Sequence, residues 1–137
     1  MDSPQSSCVI LADRNAAASE RVRGLLEAEF DNVYLVADTR SLTEGARRLT
    51  PQFIVIDMSI GPESLPSLLR AVHERSPQSH VIVLSLSGEA VVAESALAAG
   101  AEAVVLKGSA GTDMFRAIAA LQHGERYVSP EFRLTAN

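Results

Sequence analysis

Four side chains suited to phosphoryl chemistry each stand at the end of a short apolar run. Asp13 follows Cys8-Val9-Ile10-Leu11-Ala12, Asp57 follows Phe53-Ile54-Val55-Ile56, Ser85 follows Val81-Ile82-Val83-Leu84, and Lys107 follows Val104-Val105-Leu106. A carboxylate is a competent nucleophile toward phosphorus, a second carboxylate can help hold a cation, and a hydroxyl and an ammonium can engage phosphoryl oxygens. Short β-branched runs separated by helical stretches predict a parallel sheet covered on both faces, and ligands of open α/β sheets bind beyond the carboxyl ends of the strands. The four groups are therefore expected to converge at one end of one sheet.

The elements that must position them are legible in the spacing. Strands are predicted over 8–12, 33–37, 53–57, 80–85 and 103–106. Asn15 is expected to cap a helix over 16–30, with Val22, Leu25, Leu26 and Phe30 at helical spacing. Ser41 and Glu44 read as a capping box opening a second helix that ends at Leu49 before Thr50-Pro51. A loop containing Gly61, Pro62 and Pro66 leads to a third helix with Leu65, Leu68, Leu69 and Val72 on one face, ending near Ser76-Pro77. A fourth helix spans about 89–99 and a fifth about 112–123, each closed by a glycine, Gly100 and Gly124. Five strands alternating with five helices give a doubly wound α/β fold.

Composition bounds the partners. A chain of 137 residues is one domain of ordinary size. It is 47% hydrophobic but 4% aromatic, so the core is built from Ala, Val, Leu and Ile. With 12 basic and 17 acidic residues the net charge is −5, which argues against a surface made to neutralise nucleic-acid phosphates. The single cysteine, Cys8, reads as a small buried hydrophobe, and the compartment as reducing. Residues 1–7 are polar with no signal-peptide pattern and are read as a disordered N-terminal segment. No run of about 20 apolar residues occurs, so a soluble cytoplasmic protein without a membrane partner is expected. His73, His80 and His123 lack metal-ligand spacing.

Taken in order, five stretches resemble a CheY-like response-regulator receiver domain, the phosphoacceptor module of two-component systems. They are Val9 to Asp13, Pro51 to Asp57, Val81 to Ser85, Ala99-Gly100-Ala101 with Val105-Leu106-Lys107, and Gly124 to Glu131. The resemblance implies a flavodoxin-like five-stranded sheet of order 2-1-3-4-5. It implies that Asp57 is the phosphoacceptor, that Lys107 pairs with phosphoryl oxygens, and that Ser85 donates to the phosphorylated state, with position 104 as part of the switch. It also implies Mg²⁺ held by Asp13, Asp57 and the backbone carbonyl of Ser59, and a sensor histidine kinase as partner. The stretch 124–131 is similar to the tail of NarL/FixJ regulators that leads into a LuxR-type DNA-binding domain. On that basis residues 8–124 are the receiver and 125–137 a tail opening a linker, with DNA contacted only through an output domain absent from this chain, and with a homodimer expected.

The chain departs from the receiver pattern at its site. Arg14 stands where a second acid follows the first strand, so Mg²⁺ binding is expected to be weak or absent. Leu86 stands where a small residue normally leaves an approach to the aspartate, Val104 where an aromatic residue normally reports the switch, Gly61 at a usual proline and Leu65 at a usual glycine. Two mechanisms follow: a working phosphoryl switch, or an atypical receiver in which Arg14 supplies the positive charge and the domain acts as a phosphorylation-independent dimerisation module; the plain alternative for Arg14 itself, at a strand-to-helix junction, is a side chain that points to solvent. The sequence offers less to other classes. An FMN protein needs a Ser/Thr/Gly-rich phosphate loop where this chain has Asp13-Arg14-Asn15-Ala16, and an aspartate phosphatase needs an Asp-x-Asp pair, whereas Asn15 and Ser59 hold the second positions. Enzymatic turnover is not expected.

Overall fold

A computed structural model describes residues 7–15, 17–60 and 64–132. The expectations for Ala16, Gly61 and Pro62, for residues 1–6 and for the end of the tail lie outside them.

The five apolar runs form β1 (Cys8–Ala12), β2 (Asn32–Val36), β3 (Phe53–Asp57), β4 (His80–Ser85) and β5 (Ala103–Leu106). They alternate with α1 (Glu20–Glu27), α2 (Thr39–Leu49), α3 (Leu65–Arg75), α4 (Ala90–Ala98) and α5 (Ala110–Gln122). The expected count of five strands is corrected by a sixth, β6 (Tyr127–Val128), so the sheet runs β2-β1-β3-β4-β5-β6, all parallel. β6 falls in the stretch read as a linker. At two residues it is too short to show an alternation of its own, and it exists because the edge of β5 offers it partners.

Alternation along each strand sorts the core into two layers. Val9, Leu11, Phe53, Val55, Ile82, Leu84, Ala103 and Val105 face α1 and α5. Ile10, Ala12, Ile54, Ile56, Val81, Val83 and Val104 face α2, α3 and α4. Because both faces are covered, β3 is buried at every position and β1 and β4 at all but their first, which is why they read as continuous apolar runs.

Helix starts differ from expectation in informative ways. Asn15 does accept backbone N–H bonds, from Ala17 and Ala18 at 3.0 and 3.2 Å, but it opens a single 3-10 turn (Ala17–Ser19) ahead of α1. α2 starts two residues before the expected capping box: Asp38 is its N-cap, accepting the Ser41 N–H at 2.7 Å, and Glu44 instead pairs with Arg47 at 2.8 Å. α5 begins at Ala110 rather than Thr112, behind a 3-10 turn (Lys107–Ser109) that includes the candidate lysine. Ser7 is tied down, its Oγ accepting the Asp31 N–H at 2.8 Å.

Candidate functional site

Strand register builds the site as a staircase. Ala12 lies opposite Ile56, so Asp13 and Asp57 leave adjacent strands side by side; Asp57 lies opposite Leu84, one residue before Ser85, and Ser85 lies opposite Leu106, one residue before Lys107. All four groups sit at the carboxyl ends of central strands, and Asp13, Asp57 and Ser85 are buried.

The two carboxylates are held alike. Oδ1 of Asp57 accepts the Ser59 N–H and Oδ1 of Asp13 the Asn15 N–H, both at 2.9 Å, an Asx turn closing each strand. Each Oδ2 is left to face a single cation: Lys107 Nζ stands 2.7 Å from Asp57 Oδ2 and 3.1 Å from Asp13 Oδ2. Burial pulls the Lys107 ammonium down, but Asp57 and Asp13 outweigh it and hold its pKa above the ordinary value of 10.5. The shorter contact is to Asp57, whose Oδ2 is buried and has the Lys107 Nζ counter-charge as its close neighbour; the Asp13 contact is the longer hydrogen bond. Two carboxylates and one ammonium leave the cluster at −1, which favours a further cation before a phosphate dianion can approach.

Ser85 is turned toward its own loop. Its Oγ donates to the Ser87 carbonyl at 2.9 Å and accepts the Ser87 N–H at 3.1 Å, so its proton is committed away from Asp57. Arg14 is exposed, and among the described residues no ion pair joins it to Asp13 or Asp57; the positive charge between the carboxylates is that of Lys107. Of the two readings of Arg14, a lock on the carboxylates and a solvent-facing side chain, the geometry shows the second: Arg14 is the second residue past the end of β1, whereas Lys107, the first past the end of β5, reaches back across the strand ends to both carboxylates. Leu86 is 82% exposed, and Lys107 is the side chain in contact with Asp57 Oδ2. Val104 is fully buried, in the same apolar cluster as Phe132. The sequence pointed to the Ser59 carbonyl but not to the Asn15, Ser59 and Ser87 amides as partners of the site side chains, although Asp-x-Asn, Asp-x-Ser and Ser-x-Ser after strands are recognisable turn signals.

The donor set suits Mg²⁺ in part: two buried carboxylates match the one or two that the ion uses beside water and phosphate. No group of three His, Cys, Asp or Glu that could hold a metal occurs among the described residues. His73 and His123 engage the carbonyls of Gly100 and Ala119, and His80 pairs with Glu102 at 2.7 Å. A cavity of about 340 Å³, lined by Phe30, Gln52, Phe53, Gln78 and His80 among others, lies at the opposite, amino end of the strands.

Residues 9–119 match the family described as the response regulator receiver domain. The chain belongs to that family. It is 28% identical over 128 residues to the transcriptional regulatory protein RcsB of Escherichia coli strain K12, covering 90% of this chain and 59% of the relative. The RcsB of Salmonella typhi is 27% identical with the same coverage. The chain thus spans about three-fifths of the length of these relatives. Among solved structures it is similar to the non-phosphorylated receiver domain of E. coli RcsB (26% identity, TM-score 0.75, 90% of this chain and 98% of that one). It shares its fold with a LuxR-family two-component response regulator from Aurantimonas sp. SI85-9A1 (22% identity, TM-score 0.81, 93% of each chain). No helix among the described residues of this receiver is long and apolar enough to cross a membrane.

Proposed function

We propose that this receiver accepts a phosphoryl group on Asp57 from a sensor histidine kinase. The observation that supports it best is the convergence of Asp57 with Asp13 and Lys107 at the strand ends, the ammonium 2.7 Å from Asp57 Oδ2 and 3.1 Å from Asp13 Oδ2. The Asp57 oxygen attacks phosphorus, the bond to the donor's leaving group breaks, and Lys107 follows the charge onto the phosphoryl oxygens. Ser85 exchanges its Ser87 carbonyl for a phosphoryl oxygen, a substitution of one acceptor for another. Asp13, Asp57 and the Ser59 carbonyl would hold Mg²⁺, which when bound supplies positive charge to the phosphoryl oxygens. Its hold is weak, because Lys107 already contacts both carboxylates and Arg14 adds no third acid. The switched domain acts in the cytoplasm as a homodimer, and reaches DNA only through an output domain joined by a linker after the receiver, as the RcsB relatives' description as transcriptional regulators suggests.

A second reading is favoured by one observation: Asp57 Oδ2 is wholly shielded from solvent under Lys107. If that cover never opens, the domain is a constitutive dimerisation module. Intact-protein mass after incubation with acetyl phosphate and Mg²⁺ separates the two. A phosphoryl adduct on the wild type that is lost in Asp57→Ala supports the switch. No adduct on the wild type, with one gained in Arg14→Asp, makes the missing acid the cause and the chain an atypical receiver.

A further inference from the structure

The segment after α5 lies against two of the four loops that carry the site, those after β4 and β5. β6 pairs Tyr127 with Ala103 and Val128 with Val104, and beyond it the buried Ser129 donates its N–H to the Val104 carbonyl at 3.0 Å. Ser129 Oγ then accepts the Leu106 N–H at 3.0 Å, so the backbone amide immediately before Lys107 is held by a side chain of the tail. Phe132, 3% exposed, sits in the apolar cluster with Val104 and Ala93, with Leu106 packed against it. On the other side, a side chain placed at Gly88 would meet Leu106 at 3.7 Å and the Glu131 carbonyl at 3.8 Å. Gly88 belongs to the loop that Ser85 closes through Ser87. The base of the segment is pinned separately, Tyr127 Oη donating to the buried Asp113 Oδ1 at 3.1 Å.

We infer that residues 127–132 are a latch whose docking on β5 is set by the state of the Asp57 site, making this segment the domain's output lever. The inference rests on the phosphoacceptor reading of Asp57. A phosphoryl group draws Lys107 off Asp13 and Ser85 off Ser87, and these movements pass into Leu106 and into the loop 85–88, which are the latch's own docking surface. The contacts that hold Ser129, Glu131 and Phe132 belong to the arrangement with Lys107 on Asp13, so the phosphorylated arrangement docks the latch less firmly. Linkage makes the effect reciprocal: a weakened latch raises the site's affinity for a phosphoryl mimic by the same factor.

The test measures amide hydrogen exchange at Leu106, Tyr127 and Ser129 with and without beryllofluoride and Mg²⁺, with fluorine NMR reporting occupancy of Asp57. On occupancy the three amides are expected to exchange about fivefold faster or more relative to those of β1, and Ser129→Ala is expected to bind beryllofluoride about fivefold tighter or more. Occupancy without a selective change at these amides, or unchanged affinity in Ser129→Ala, overturns the latch. Absence of a fluorine signal at Asp57 counts against the phosphoacceptor reading instead. The coupling is then judged from Lys107→Met: selectively faster exchange at the same three amides upholds it, and unchanged or uniformly faster exchange overturns it.

Discussion

Lys107 holds two buried carboxylates apart and together, and its removal leaves them facing each other with no counter-charge. Breaking a buried ion pair from one side is far costlier than removing both partners. Lys107→Met is therefore expected to destabilise the domain by about 3 kcal/mol at neutral pH, the lower end of that class because part of the lysine meets solvent; urea unfolding reads it. The pH dependence has a definite sign. The folded state raises the Lys107 pKa, so its contribution is fully present below 10.5 and is lost as pH climbs through the raised folded value. The stability gap between wild type and Lys107→Met is expected to stay flat from neutral pH to about 9 and to close at still higher pH; a gap that closes already near neutrality refutes the bridging role. At this scale the sequence revealed most of what mattered, because a strand end fixes a side chain's position to within a residue. It did not reveal where Arg14 and Ser85 point. Arg14 is the second residue past β1 and Lys107 the first past β5, but which of the two cations meets the carboxylates is decided by the packing of the strand ends, and the Ser85 proton goes to the acceptor its own loop presents; both are tertiary facts with no periodic signature.

Elements were legible wherever a period ran long enough. β1, β3, β4 and β5 appear with the expected bounds because a strand buried on both faces writes itself as an unbroken apolar run. Helix starts were less legible, since Asp38 and Ser41 are both competent caps and only the packing of Leu42 and Ala46 against the sheet selects the earlier one. The half-buried Cys8 likewise departs from a fully buried reading, being the first residue of its strand; burial still pushes its thiol pKa up. Two glycines test the element boundaries in opposite directions. Gly24 lies inside α1, where an added Cβ meets nothing within 4 Å, so Gly24→Ala is expected to raise stability by about 0.5–1 kcal/mol. Gly100 ends α4 at φ +117° with His73 3.6 Å from where a Cβ would stand, so Gly100→Ala is expected to lower stability by more than about 1 kcal/mol. Thermal melts of the two variants check both; a stabilising Gly100→Ala would contradict the left-handed helix end.

For the whole molecule the decisive question is where the domain stops. The last predicted element ends near Gly124, yet the core on the α2, α3 and α4 side includes Phe132, and the sheet includes β6. A two-residue strand and one aromatic carry no pattern that distinguishes them from a linker, which is why the sequence hid them. Energetics separate the readings. If the chain beyond Gly124 were only a linker, Phe132→Ala would leave stability unchanged, as exposed substitutions do. As a buried aromatic whose removal empties a space between α4 and β5, it is expected to cost about 3–5 kcal/mol, read as a shift in the urea midpoint at constant slope. The same change strips cover from Val104 and Leu106, next to the lysine that bridges the site. A domain that completes its core with residues 127–132 cannot rearrange that end of its sheet without altering how the segment is held, because Ser129 holds the amide next to Lys107 and Phe132 shares a cluster with Val104.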